Sequence, residues 1–362
     1  MSGDSGGHDG GRAFIGSFTS SGGLGIIAAA VDARTGALTA RGVTDAVADP
    51  SYLALSPDGT VLYAVSETDE GAVAAFRPQD TAAGSAAPSP LGDPVLVCGS
   101  GPTHLTFAAG RLLTANYGSG SLSVLPVAAD GRPRAVTGVL QNQGTGPHPD
   151  RQRGPHAHQV VAAPGGRWIL SPDLGTDTVR ICSLDTMAGE LIPHGSTALR
   201  PGTGPRHLAF HPAGGHVYVL GELEPVLTVC RWDEAYGVLE PVGESAVLPG
   251  GEAGAEGAAG GSYPSEVVVA PDGRFLWVAN RGHDSIAVLA LDPTYEKPEL
   301  VTTVPCGGHW PRDLVLDPTG RRLYAANERS GNVTWFDIDP VTGVPVLAGA
   351  LAAPAASCVI FG

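Results

Sequence analysis

One short pattern is written six times along this chain. A turn of the Pro-x-Gly kind is followed by four to six apolar residues, a polar stretch and a second apolar run. The copies are SPDGTVLYAVSETDEGAVAAF (56–76), AAGRLLTANYGSGSLSVL (108–125), APGGRWILSPDLGTDTVRIC (163–182), HPAGGHVYVLGELEPVLTVC (211–230), APDGRFLWVANRGHDSIAVL (270–289) and DPTGRRLYAANERSGNVTWF (317–336). Their turn glycines, Gly59, Gly110, Gly166, Gly214, Gly273 and Gly320, are separated by 51, 56, 48, 59 and 47 residues. A period near 50 with short strands and tight turns is the mark of a β-propeller blade. A β-helix would repeat at much shorter intervals, and two sandwiches would not share one repeat across both halves.

The turn chemistry supports this reading. In Pro57-Asp58-Gly59 and Pro271-Asp272-Gly273 the proline presets φ and the glycine accepts positive φ. Ser119-Gly120, His283-Asp284 and Ser330-Gly331-Asn332 mark the hairpins that follow. A mean spacing of about 52 divides 362 residues into seven blades. Segments 14–18 and 23–32 at one end and 357–362 at the other supply the pieces of the seventh. The expected fold is therefore an all-β, seven-bladed β-propeller with four-stranded antiparallel blades. Pairing of the N- and C-terminal strands would close the ring and hide the sheet edges.

Composition agrees. Glycine (52) and proline (31) make up nearly a quarter of the chain, about twice the usual share, which excludes long helices. With 43% apolar residues, that punctuation does not mean disorder. The polar, glycine-rich residues 1–12 are expected to be a disordered tail, with 13–362 forming one propeller domain. A net charge of −15, from 21 basic and 36 acidic residues, speaks against a nucleic-acid partner. The five cysteines are scattered, form no C-x-x-C pair and fit free thiols in a reducing cytoplasm. No secretory signal and no run of 18 apolar residues is seen, so neither export nor a membrane span is expected. The expected assembly is a monomer or weak homo-oligomer.

Function in a symmetric scaffold sits where the copies depart from one another. Three interruptions stand out: 78–94, rich in Ala, Ser and Pro; 141–159; and the Gly/Ala stretch 250–265. The second, QNQGTGPHPDRQRGPHAHQ, holds His148, Asp150, Arg151, Arg153, His156 and His158. A strand beginning at Gln159 would bring His158 to the propeller face. Histidine there could act as base, acid or ligand, or belong to a plain polar loop. Arg206 in GPRHLAFHP, Arg312 in WPRDLVLDP and His104 in GPTHLTF fall at similar places before their turns. Glu222 and Arg281 fall at strand ends, where other copies carry Glu67, Asn116, Asp173, Asn280 and Asn327. Such a ring could merely satisfy loop backbone.

The strings PHAHQV (155–160), GPRHLAFHP (204–212), GELEPVLTV (221–229), PDGRFLWVANRGHDSIAVL (271–289) and PRDLVLDPTGRRLYAANERSGNVTWFDID (311–339) resemble the lactonase family of seven-bladed propellers. That family includes propeller-type 6-phosphogluconolactonases and 3-carboxy-cis,cis-muconate lactonizing enzymes. The resemblance spans about residues 12–362. It implies a catalytic cluster of His158, Arg206, Glu222 and Arg281, with His156, His104 and Arg312 as candidate substrate-binding residues. It implies an anionic lactone as partner and needs neither metal nor other cofactor. Arginines suit a phosphate, a carboxylate or an oxyanion, and His158 suits proton transfer. A cycloisomerase using the same residues and a non-catalytic binding propeller remain the alternatives. A cation-dependent lactonase would draw on Asn116, Asp173, Asn280 and Asn327.

Overall fold

A computed structural model describes residues 11–78, 87–251 and 261–362. It is a seven-bladed propeller of antiparallel sheets. In each blade the first strand lines the central channel and the last lies at the rim. The first strands are Leu53–Leu55, Pro102–Ala108, Val161–Ala162, Pro205–Phe210, Tyr263–Val269, Pro311–Leu316 and Ala356–Phe361. The last of these pairs with Arg12–Ser17, and the sheet continues through Ile26–Val31 and Leu38–Thr44. One blade is thus split between the chain ends, as the repeat count requires. All six repeat-turn glycines have φ between +67° and +76°, the left-handed region that makes glycine the fitting residue.

The long apolar runs have a simple cause. Successive side chains on a strand point to opposite faces, and each sheet is covered by a blade on both sides. On the N-terminal strand, Phe14 packs with Leu53 and Leu62 of the next blade. Ala13 and Ile15 pack instead with Tyr324 and Val333 of the preceding one. Among the described residues there are seven apolar clusters, one at each junction between neighbouring blades. The core is a ring of wedges, and the channel at its centre is left to polar side chains.

Several boundaries differ from expectation. Arg12 already belongs to a strand, and residues 1–10 of the expected tail lie outside the described residues. Within 78–94 a short strand, Ser89–Pro90, pairs with Ala72–Arg77, and Val95–Leu96 pairs with it too. Pro90 and Pro94 cannot donate to a ladder, so the rim strand of this blade is broken in two. Residues 79–86 and 252–260 lie outside the described residues. Tyr263–Val269 begins inside the stretch read as an insertion. The strand expected from Gln159 is only Val161–Ala162. His158 is held instead by its N–H donating to the Pro172 carbonyl, 3.0 Å away. All five cysteines are free, and only Cys98 is exposed.

Candidate active site

The channel residues follow from one irregularity that recurs. Where the first strand begins, the ladder skips a residue. Pro102 pairs with Asn116 and His104 with Ala115; Pro205 pairs with Gly221 and His207 with Leu220. The same step occurs at Pro264/Glu266, Pro311/Asp313 and Ala356/Cys358. A β-bulge leaves the extra residue unpaired and re-aims its side chain. The extra residues are Thr103, Arg206, Ser265, Arg312 and Ser357. His158 takes the same step, because Ala157 bridges Asp173 as Pro102 pairs with Asn116. The channel therefore carries two layers. The upper layer holds His158, Arg206 and Arg312. The lower layer, one residue on, holds Tyr52, His104, Gln159, His207, Glu266, Asp313 and Cys358.

The second strand supplies the rest by alternation. Its last paired residues, Asn116, Asp173, Asn280 and Asn327, are fully buried and bonded within their surroundings. Asn116 donates to Ser121 and Ser123, Asn280 to the Val247 carbonyl and Asn327 to Thr334. Asp173 accepts from Asn142 and from the His156 and Gly175 amides. Asn280 Oδ1 and Asn327 Oδ1 have no hydrogen-bond partner. One residue past this place, five strands put a side chain on the channel face: Glu67, Tyr117, Glu222, Arg281 and Glu328. Glu222 thus shares a column with Arg281, not with the asparagines; Gly221 takes the asparagine place.

Glu222 is the hub. Its Oε2 lies 3.1 Å from Arg206 Nε and 2.9 Å from Arg281 Nη2, and its Oε1 accepts from Arg151 Nη2 at 2.7 Å. His158 Nε2 stands 3.8 Å from Oε2. Burial alone would raise the carboxyl; Arg281, Arg206 and Arg151 outweigh it and hold Glu222 well below its ordinary range. His158 is pulled well below 6.5 by burial and by Arg206, His207, Arg312 and Arg281, so it is neutral at pH 7. Arg206 also donates to the Ser265 carbonyl, and Arg281 donates to those of Tyr263 and Pro264. Arg312 lies 3.2 Å from Glu328, 3.8 Å from Glu67 and over the Phe18 ring.

A cavity of about 160 Å³ is lined by Glu67, Thr103, Tyr117, Arg151, His158, Glu222, Arg281 and Arg312. A narrower polar gap beneath it reaches Arg206, Tyr52, His207 and Asp313. The structure brings His158, Arg206, Glu222, Arg281 and Arg312 together, but it does not put His104 or His156 on the cavity wall. His104 lies in the lower layer, its ring 4.1 Å from that of Tyr52 and 5.6 Å from that of His207. Its true counterpart in the next blade but one is His207, not Arg206. His156 stacks on Tyr117 at 4.4 Å, with Nδ1 2.9 Å from the Tyr117 carbonyl oxygen. It supports the wall from behind.

Tyr117 and Glu328 reach the site although no motif singled them out, and Arg151 and Glu67, noted in the 141–159 interruption and at a strand end, reach it as well. The signal for three of them is the column one residue past the strand end. Arg151 comes from a loop, where no periodicity applies. In the lower layer, His207 Nδ1 is 2.7 Å from Glu266 Oε2. Burial raises Glu266 to about 7, against Arg206, and raises Asp313 well above its usual range, with Glu266 adding to the shift. Among the described residues no group of three or more His, Cys, Asp or Glu is arranged to hold a metal ion.

A closed seven-bladed ring thus gathers a buried carboxylate, arginines and a neutral histidine at one mouth. Residues 12–361 match the model of the family described as lactonase, 7-bladed beta-propeller, and the chain belongs to that family. It is 33% identical over 282 residues to the 6-phosphogluconolactonase of Bacillus subtilis strain 168, covering 77% of each chain. A solved structure from Bacteroides fragilis superposes with a TM-score of 0.89 at 27% identity, covering 99% of this chain and all of the other. The periplasmic gluconolactonase of Pseudomonas aeruginosa superposes at 0.87 with 28% identity, covering 97% and 98%.

Proposed function

We propose that this protein hydrolyses an anionic sugar lactone, and that its substrate is 6-phosphogluconolactone, opened to 6-phosphogluconate. One observation carries this reading: a neutral His158 stands 3.8 Å from an ionised Glu222 that anchors three arginines, Arg151 and Arg281 on the cavity wall and Arg206 just beneath it. The name of the Bacillus subtilis relative supports the choice of lactone.

His158 takes a proton from water as the water oxygen bonds to the lactone carbonyl carbon. The imidazolium so formed faces the Glu222 carboxylate. Arg206 and Arg281 hold the anionic charge, including the oxyanion that develops on the carbonyl oxygen. Collapse of the intermediate breaks the ring C–O bond, and His158 returns the proton to the leaving ring oxygen. Atoms and charge balance with no further reactant.

The test is the rate of 6-phosphogluconolactone opening by purified protein against the spontaneous rate. A protein-dependent rate is expected, lost in His158→Ala and Arg206→Ala. Opening no faster than the spontaneous reaction would overturn the reading. Consumption of 3-carboxy-cis,cis-muconate in its place would assign the cycloisomerase reaction to the same residues.

A further inference from the structure

We propose that Arg151 selects phosphorylated over plain sugar lactones, an inference that rests on the lactonase reading above. Three arginines meet Glu222, but they are not equivalent. Arg206 and Arg281 share Oε2, have side chains only 3% and 7% exposed, and turn other donors to backbone carbonyls. Arg151 alone takes Oε1, comes from the 141–159 interruption and is 36% exposed. It is the guanidinium of the three that an arriving ligand meets at the mouth.

That guanidinium is held in place. The Tyr117 hydroxyl accepts from Arg151 Nη2 at 3.1 Å, and Tyr117 is itself fixed between His156, stacked at 4.4 Å, and His158, edge-on at 5.3 Å. The turn carrying Arg151 is pinned by Gln152, which is buried. Gln152 Nε2 donates to the Leu174 carbonyl at 2.8 Å, and its Oε1 accepts the His148 amide at 2.9 Å. A pre-placed planar fork at a partly open mouth fits a phosphate.

Charge points the same way. Arg312, across the cavity, is flanked by Glu67 and Glu328. On the Arg151 side one carboxylate faces three guanidinium groups, so positive charge is left over for a dianion. A plain lactone carries only a hydroxyl where the phosphate would lie. The loop that brings Arg151 is also the segment in which this copy departs most from the repeat.

The experiment compares kcat/KM for 6-phosphogluconolactone and glucono-1,5-lactone in the unmodified protein, Arg151→Gln and Arg151→Lys. The unmodified protein is expected to favour the phosphorylated substrate. Arg151→Gln should lower that preference about 10- to 100-fold, mainly through KM, as expected for loss of a charged pair of hydrogen bonds. Arg151→Lys should fall between, keeping the charge but losing the fork, and it decides the matter if Arg151→Gln does not fold. A merely structural role would reduce both substrates equally. An unchanged preference in the variants, or none in the unmodified protein, overturns the inference alone. Hydrolysis of neither lactone overturns the lactonase reading and the inference with it.

Discussion

The two layers of the channel carry successive residues of the same first strands, with Glu222 joining the upper one from the end of a second strand, and they treat charge in opposite ways. In the upper layer, Glu222 is ionised because three guanidinium groups offset its burial. In the lower layer, Glu266 and Asp313 are equally out of water, but Arg206 is the cation that opposes their burial. They hold protons well above the usual carboxylate range. Burial alone therefore does not decide the state of a channel carboxyl; the number of cations within reach does. The upper layer is charged and faces the cavity. The lower layer is a nearly neutral plug of rings and shared protons.

The pH dependence of stability should separate the layers. Glu222 has its folded pKa below the ordinary 4.5 of a free glutamate, so its contribution is present above that value and is lost as pH falls. Glu266 has its folded pKa raised to about 7, so its contribution is present below 4.5 and is lost as pH rises through about 7.

The largest expected effect belongs to the hub. Glu222→Gln leaves three buried or half-buried guanidinium groups without their carboxylate. It should cost about 3–5 kcal/mol of unfolding free energy and about 10³-fold in kcat/KM, read by denaturant melts and lactone assay. His158→Gln should lower kcat by about 10²- to 10⁴-fold while shifting the melt far less than the Glu222 variant. Equal losses of stability in the two would erase the distinction between anchor and base. In the lower layer, Glu266→Gln should gain on the unmodified protein by up to about 3 kcal/mol as pH rises from 4.5 past 7. Parallel stability curves would show that Glu266 is not a proton holder. The smallest effect is expected for His104→Phe, which sits off the cavity. Its KM should stay within about twofold, and a tenfold rise would place the lower layer in ligand binding.

The fold was legible because its turn is repeated with its glycine in place, and because leftover strands at both ends add up to one blade. The broken rim strand at Ser89–Pro90 and Val95–Leu96 was not, since two-residue strands leave no periodic trace. Of the site, His158, Arg206, Glu222 and Arg281 could be located through family motifs. Their depth could not, because a bulge shifts one residue without changing the string. That is why His104 was matched to Arg206: in GPTHL and GPRHL alike the third residue, Thr103 or Arg206, is the one the bulge re-aims, and the histidine after it lies one layer down. Arg151 could be named within its loop but not placed, for another reason. It lies in an irregular loop whose geometry is set by Gln152 and Tyr117, contacts that no spacing rule reveals.

The central claim is that a neutral His158, held beside an ionised Glu222, opens the lactone. The pH profile of kcat/KM, corrected for spontaneous opening, tests it most directly. The rate should be on its plateau at pH 7, with an acid limb lying well below 6.5 that disappears in His158→Gln. A limb centred at or above 6.5, or one that survives in His158→Gln, would contradict it.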